Sequence, residues 1–263
     1  RTANLAVIAV TDHDSTAGIA ATARASAEIG GPQVVAGVEF GTALGDDARE
    51  EIHIVGLFLD PENPDLRAAL ETGRRRRLER ALQMIEALNR LGVALRNDDV
   101  LSLADGGSVG RLHIAQALLR LRHVGSVGEA FQRWIGQGGP AYVPRRRPGI
   151  GEAIALIHRA GGAAVMAHPA KTGRDADIPA LVAAGIDGIE VYNGDQTRDR
   201  EDHYLRLAAD YGLLVGGGSD CHGRNKERAL IGQVRLAPER VEALRRRAQE
   251  WKEKSECPRS SKS

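Results

Sequence analysis

What most constrains this chain is an alternation. Short runs of β-branched or small apolar residues (Leu5–Val10, Val34–Glu39, Ile52–Leu59, Ala163–Met166, Gly188–Val191 and Leu213–Val215) are bounded by Gly, Asp or His. Between most of them lie helical patterns with glycine stops. Ser15–Ile29 ends at Gly30-Gly31, Ile150–Arg159 at Gly161-Gly162, Ile178–Ala184 at Gly185 and Arg198–Tyr211 at Gly212. Strand and helix in turn predict an α/β domain with a largely parallel sheet or barrel. One stretch departs from this. From Leu66 to Tyr142 the periodicity is helical alone, with Leu78, Leu82, Ile85, Leu88 and Leu91 on one face and Ile114, Leu118 and Leu121 repeating it. It reads as a helical insertion, and Gly138-Gly139-Pro140 marks the return.

Composition excludes whole classes. A chain of 263 residues can hold one large α/β domain, or one with a smaller insertion. Lys plus Arg (36) nearly cancel Asp plus Glu (35), so bulk charge does not argue for nucleic acid or a membrane surface. No apolar run approaches the roughly 18 residues of a membrane span. Aromatics are only 3%, so the core must be built from Ala, Val, Leu and Ile. Cys221 and Cys257 offer no disulfide framework and fit a reducing cytoplasm. The strand pattern starts at Leu5, almost at once after Arg1, with no leader-like segment before it, so the opening reads as the interior of a domain. The polar stretch 252–263 reads as a tail.

The chemistry is carried by where His, Asp and Glu fall. Leu5–Val10 runs into Thr11-Asp12-His13-Asp14, Val34–Val38 into Glu39, Ala163–Met166 towards His168-Pro169, and Gly188–Val191 into Tyr192-Asn193. Leu213–Gly218 leads to Ser219-Asp220-Cys221-His222, and His53 sits early in its strand beside Glu51. The C-terminal edge of parallel strands is where α/β active sites assemble. Imidazoles and carboxylates gathered there are ligands in type for Zn, Mn or Fe, and a mixed N/O set of this kind suits metal-assisted hydrolysis. A lone histidine after a strand is ordinarily a hydrogen-bonding loop residue; the agreement of several strand ends is what argues for a metal.

In this order, Thr11-Asp12-His13-Asp14, Gly37-Val38-Glu39, Glu51-Ile52-His53-Ile54-Val55-Gly56, Ala167-His168-Pro169, Glu190-Val191-Tyr192-Asn193-Gly194 and Gly217-Gly218-Ser219-Asp220-Cys221-His222-Gly223 resemble the PHP phosphoesterases, the polymerase and histidinol phosphatase superfamily. The likeness is greatest to the branch of nucleoside 3′,5′-bisphosphate phosphatases and 5′-to-3′ exoribonucleases. It extends through the insertion, with Gly110-Arg111-Leu112-His113 and Gly139-Pro140-Ala141-Tyr142-Val143. The resemblance implies a distorted (β/α)7 barrel holding up to three divalent metals, Mn²⁺ first and Zn²⁺ or Fe²⁺ as alternatives. It implies His13, Glu39, His53, His168, Asp220 and His222 as ligands, Asp12 as a ligand or an orienting partner, and Arg111 and His113 as phosphate-contacting catalytic residues. Tyr192 and Asn193 are further substrate contacts. The domains expected are a barrel from 1–65 and 144–251, with the insertion at 66–143.

The family's opening Asp-Leu-His-x-His segment has no counterpart here. The expectation is therefore a fragment lacking the first barrel strand, with an open sheet edge, an incomplete ligand set and an activity that depends on the missing piece. On the substrate side, residues 111–159 hold eight arginines against Glu129 and Glu152, which suits a substrate with more than one phosphate. The runs Arg74–Arg77 and Arg245–Arg247 read as solvated helix faces. Arg145–Arg147, held between Pro144 and Pro148, is extended and a candidate for the mouth of the barrel. His158 reads as a surface residue, and His203 as one that could approach the site. The expected activity is hydrolysis of nucleotide phosphomonoesters, extending to RNA 5′ ends, without membrane or obligate protein partner. Two alternatives stand beside it: a histidinol-phosphatase-like sugar or small-molecule phosphatase, and a non-catalytic module that binds nucleic acid or a partner.

Overall fold

The computed structural model describes residues 3–43, 51–104, 107–145, 147–194, 196–221 and 231–256. The chain divides into two compact units, Arg1–Arg67 with Arg147–Ser263, and Ala68–Arg146.

The first unit is a mixed α/β layer. Its strands are β1 (Val7–Val10), β2 (Gln33–Ala43), β3 (Glu51–Leu57), β4 (Ala163–Met166), β5 (Gly188–Asn193) and β6 (Leu214–Gly218). They lie side by side in chain order. β1 with β2, β4 with β5 and β5 with β6 are parallel, but β3 is antiparallel to both of its neighbours. The sheet is therefore less parallel than the alternation predicts. The reason is local: β2 ends at Ala43 and β3 begins at Glu51, a connection too short for the crossover of about a dozen residues or more that a parallel pair needs, so the chain must come back in the opposite direction. One consequence positions the site. The start of β3 lies at the same sheet edge as the ends of the parallel strands, so His53, opposite Gly41, arrives where the other polar residues do.

Burial follows strand position. β4 is buried at every residue, whereas β1, on the edge and paired only with β2 among the described residues, is half-exposed despite its apolar Val-Ile-Ala-Val sequence. Helix α1 (Ala17–Glu28) follows β1. After the second unit come α6 (Ile150–Arg159), the short α7 (Pro169–Thr172) and α8 (Ile178–Ala183), then α9 (Arg198–Asp210) and α10 (Pro238–Glu256). Helices α6 and α10 pack on each other and on the sheet. Ile154 and Ile157 of α6 join Ile52, Ile54 and Met166 among the fully buried side chains, each worth about 1.5–3 kcal/mol of burial. Gly161 ends α6 with φ +71°, and Lys252 of α10 lies 3.2 Å from where a Cβ would stand, so both conformation and space favour glycine there.

The second unit is helical: most of α2 (Pro64–Arg90, which begins in the first unit), α3 (Asn97–Leu101), α4 (Arg111–Arg120), α5 (Val127–Ala130) and a π turn at Phe131–Ile135. Its core gathers Ala81, Met84, Ile85 and Leu88 of α2 with Ile114, Ala117 and Leu118 of α4. The buried stripe of α2 is thus rotated from the one the leucines suggest. Leu78 and Leu91 are exposed, because Ala81, Met84, Ile85 and Leu88 form an unbroken i, i+3, i+4, i+7 series and two small or flexible members of it fit close packing. No described helix is long and apolar enough to cross a membrane.

Candidate metal centre

Four predicted residues meet at the edge where β1, β2 and β4 end and β3 begins. The chain after β1 stays beside β2: Glu39 N–H donates to the Asp12 carbonyl (3.2 Å), Asp14 N–H donates to the Glu39 carbonyl (3.0 Å), and His13 forms a parallel bridge with Glu39. His13 is thereby placed against the Glu39 side chain, with Nδ1 3.6 Å from Oε2. The other oxygen, Oε1, lies 2.6 Å from His53 Nδ1 and 3.2 Å from His168 Nε2, and those two nitrogens are 3.1 Å apart. Donor atoms of His13, Glu39 and His53 all lie within 4.8 Å of one another.

The electrostatics follow from this crowding. Burial by itself raises the Glu39 pKa, but hydrogen bonds from His168 and His53 and the nearby imidazoles outweigh it and hold the carboxyl well below the usual range. His53 is the counterpart. Burial opposes its charge, yet it lies between Glu39 and Glu51, whose Oε1 is 3.2 Å from Nε2, and it is pushed up to about 9. Glu51 is itself held by Arg147 (2.7 Å), whose side chain is 8% exposed. Arg147, the last residue of the proline-bracketed run, is thus part of the charge network behind His53.

His168 is held from behind. Its backbone is left-handed (φ +30°, ψ +54°), and its N–H donates to Glu190 Oε2 (2.7 Å), which also accepts from Asn193 Nδ2 (3.1 Å). Residues 190 and 193 of a regular strand would face opposite ways; a bulge between Glu190 and Tyr192 brings them to one side. Burial, only partly offset by those donors, pushes Glu190 up to about 7. Gly218 leaves room for this carboxylate, since a Cβ there would stand 2.9 Å from Glu190 Oε1. The neighbouring Tyr192 ring lies beneath the Arg240 guanidinium (5.5 Å). Left-handed non-glycine backbones recur at this edge, at Asp14 (φ +49°), His168 and Asp220 (φ +46°). Each costs of order 1–3 kcal/mol and marks a position the surroundings must hold.

The remaining expectations fall as follows. The Asp12 carboxylate is turned towards the first turn of α1, where Gly18 makes space for it, and it is not in the three-residue donor cluster. Asp220 is bonded to Lys171 Nζ (2.7 Å). His222 lies outside the described residues. In the helical unit, Arg111 and His113 sit in the first turn of α4, and the Arg111 guanidinium is placed over the Phe131 (5.3 Å) and Tyr142 (5.6 Å) rings. His203 bonds to Asp175 (2.7 Å). His158 is not a surface residue: its ring stacks on Trp251 at 3.7 Å and bonds Asp187.

Sequence reasoning missed Glu190 and Glu51 as site residues, and it offered Arg147 for the mouth of the barrel rather than for the Glu51 pair behind His53. Glu190 had a signal, a lone carboxylate within the otherwise apolar run Gly-Ile-Glu-Val. Whether a metal suits the residues present can be judged from His168, whose Nδ1 is buried with no hydrogen-bond partner. The other ring nitrogen, Nε2, and His53 Nδ1 stand 3.1 Å apart and converge on the same Glu39 oxygen, a spacing of two imidazole nitrogens and a carboxylate that suits shared ligation of one cation. The residues fit a divalent cation.

No protein-family model matches the chain. It is 36% identical over 221 residues to a 5′-3′ exoribonuclease of Haemophilus influenzae, covering 82% of this chain and 79% of that one. It is also 36% identical over 241 residues to a 3′,5′-nucleoside bisphosphate phosphatase of Chromobacterium violaceum, covering 89% and 82%. A crystal structure from Bifidobacterium adolescentis, assigned as a metal-dependent phosphoesterase, superimposes with a TM-score of 0.81 at 31% identity, covering 94% of this chain and 87% of that one.

Proposed function

The chain belongs to the PHP family, hydrolases of phosphoric esters, and from that premise we propose that it is a divalent-metal-dependent phosphatase of nucleoside 3′,5′-bisphosphates that also removes nucleotides from RNA 5′ ends. The observation that carries the reading is the meeting of His13, Glu39, His53 and His168 at one sheet edge, with a buried His168 nitrogen left without a partner. The finer reading includes a (β/α)7 barrel, up to three ions with Mn²⁺ preferred, Asp220 and His222 as further ligands, and a cytoplasmic setting.

Bound divalent metal supplies Lewis acidity that favours a phosphoryl oxygen and an ionised water. The chain's own residues do the rest. His13, Glu39, His53 and His168 hold the cation through imidazole nitrogens and a carboxylate already ionised at neutral pH. Glu190 and Asn193 fix the His168 backbone from behind, so that its ring keeps one orientation. Within the helical unit, Arg111, steadied over two aromatic rings, and His113 beside it are donors of the kind that suit phosphate oxygens.

The test is phosphate release from adenosine 3′,5′-bisphosphate by the chain supplied with Mn²⁺, beside histidinol phosphate and a 5′-phosphorylated RNA oligomer. Preferred turnover of the bisphosphate, lost in Glu39→Gln and His168→Ala, supports the reading. A folded, metal-loaded chain that leaves the bisphosphate intact overturns it.

A further inference from the structure

The first turn of α4 holds a hydrogen-bond arrangement that fixes which nitrogen of His113 carries the proton. Gly110, its N-cap, has no side chain to cap with, and the usual reciprocal box is replaced by a histidine: the Gly110 N–H donates to His113 Nδ1 (3.1 Å), while the His113 N–H donates to the Gly110 carbonyl (3.0 Å). A backbone N–H can only donate. His113 Nδ1 must therefore be the bare, accepting nitrogen, and the ring's single proton is on Nε2. Protonating Nδ1 would set two N–H groups against each other and remove a cap worth about 1 kcal/mol.

A second group pushes the same way. Arg77 of α2 reaches this turn: its Nη1 lies 3.9 Å from where a Gly110 Cβ would stand. Burial, and then the Arg77 charge, lower the His113 pKa. Arg111, two positions earlier on the helix, turns its guanidinium to the Phe131 and Tyr142 rings, and the Arg80 guanidinium of α2 lies 5.6 Å from the Tyr142 ring. Among the described residues no carboxylate is paired with the His113 ring. Arg77 is thus distinguished from its exposed neighbours Arg74, Arg75 and Arg76, with which the sequence groups it.

We propose that Arg77 is a positioning residue for His113: together with the Gly110 N–H it keeps the ring as a neutral Nε2–H donor, fitted to hold a phosphate oxygen and unsuited to act as a general acid. This rests on the reading of Arg111 and His113 as phosphate contacts. It adds that the proton given to the leaving oxygen must come from elsewhere. A ring locked as a donor offers a phosphate the same hydrogen bond throughout the neutral range, where an ordinary histidine would change charge.

The experiment is an imidazole ¹⁵N titration of the full chain with Mg²⁺ supplied, in wild type, Arg77→Gln and Arg77→Lys, with inorganic phosphate as the probe. The wild-type ring should show Nδ1 as the bare nitrogen and titrate below the ordinary histidine range. R77Q should raise the midpoint by about half a unit or more and weaken phosphate about fivefold at pH 7, and R77K should restore both. A wild-type ring protonated on Nδ1 at neutral pH, or an R77Q midpoint equal to wild type, overturns the proposal. If R77Q does not fold, the wild-type tautomer and the R77K midpoint decide. These readouts are independent of turnover, so a chain inactive on bisphosphate that still shows the locked tautomer and the Arg77 effect would sink the proposed function alone.

Discussion

Two histidine–carboxylate clusters lie at opposite edges of the same sheet, built from the same residue types and doing different things. At the edge where β4 and β5 begin, Asp187 accepts from the Ala164 N–H (2.8 Å), from His158 Nε2 (2.8 Å) and from Trp251 Nε1 (3.0 Å), with Arg247 nearby at 3.7 Å. The His158 ring lies flat on Trp251, 12° from parallel. Every acceptor there has a protein donor, and the cluster ties α6 and α10 to the sheet. At the other edge, three imidazoles crowd one carboxylate, a His168 nitrogen has no partner, and the supporting backbone is left-handed. A cluster the protein completes by itself is structural. A cluster in which imidazole nitrogens converge on one carboxylate oxygen has the donor spacing of a cation site.

The largest expected effect separates the two directly. Glu39→Gln should lose metal, measured by elemental analysis, and lower phosphate release about 10²–10⁴-fold per folded molecule, its stability cost in the metal-free chain coming from the lost ion pair with His53. Asp187→Ala should do the converse. Removing one acceptor from three buried donors should cost about 3 kcal/mol or more in urea, while turnover per folded molecule stays at the wild-type level. If D187A impairs turnover at full folding, the division between the clusters fails.

Acidity sharpens the comparison. His53 keeps its proton in the folded state up to about 9, whereas the unfolded chain releases it near 6.5. Its contribution is whole below 6.5 and is lost as pH rises through 9, a change of up to about 3 kcal/mol. Glu190 has the same sign at lower pH: neutral when folded up to about 7 but ionised from 4.5 when unfolded, it also withdraws stability as pH rises. Glu39, held low, works the other way and loses its contribution only as pH falls below the ordinary carboxylate range. The metal-free chain should therefore weaken between pH 6.5 and 9, and added metal, which needs deprotonated imidazole, should raise its melting temperature most at the upper end. His53→Gln should flatten this slope in thermal melts across that range. The smallest effect is Trp251→Phe, which keeps the ring stack and deletes one hydrogen bond to Asp187; about 1 kcal/mol in urea is expected, with the pH slope untouched.

Much of the site was legible because ligand types recur at strand ends, and periodicity alone reveals where strands end. His13 and His168 needed no more than that, whereas Glu39 lies inside β2, which runs on to Ala43 beyond the expected end. His53 was visible as a histidine but oddly placed, at the start of a strand, until the reversed direction of β3 explained it. Glu190 and Arg147 act through backbone geometry and charge relay, and neither leaves a periodic trace. His158 looked like surface because its partner Trp251 lies 93 positions away on α10, a pairing that spacing cannot express. The stripe of α2 was misjudged for a simpler reason: leucines draw the eye, but an alanine and a methionine at the right spacing pack as well.

The reversal of β3 also sets an order in time. Glu39 and His53 face one another on paired antiparallel strands only 14 positions apart, whereas His168 is 115 positions from His53, beyond the whole helical unit. Local pairings close early in folding and distant ones late. Half of the ligand set is therefore assembled as soon as one hairpin forms, before a core exists to bury it. The fourth member joins only when β4 docks beside β3, so the completeness of the cluster depends on a long-range contact that its first pair does not need.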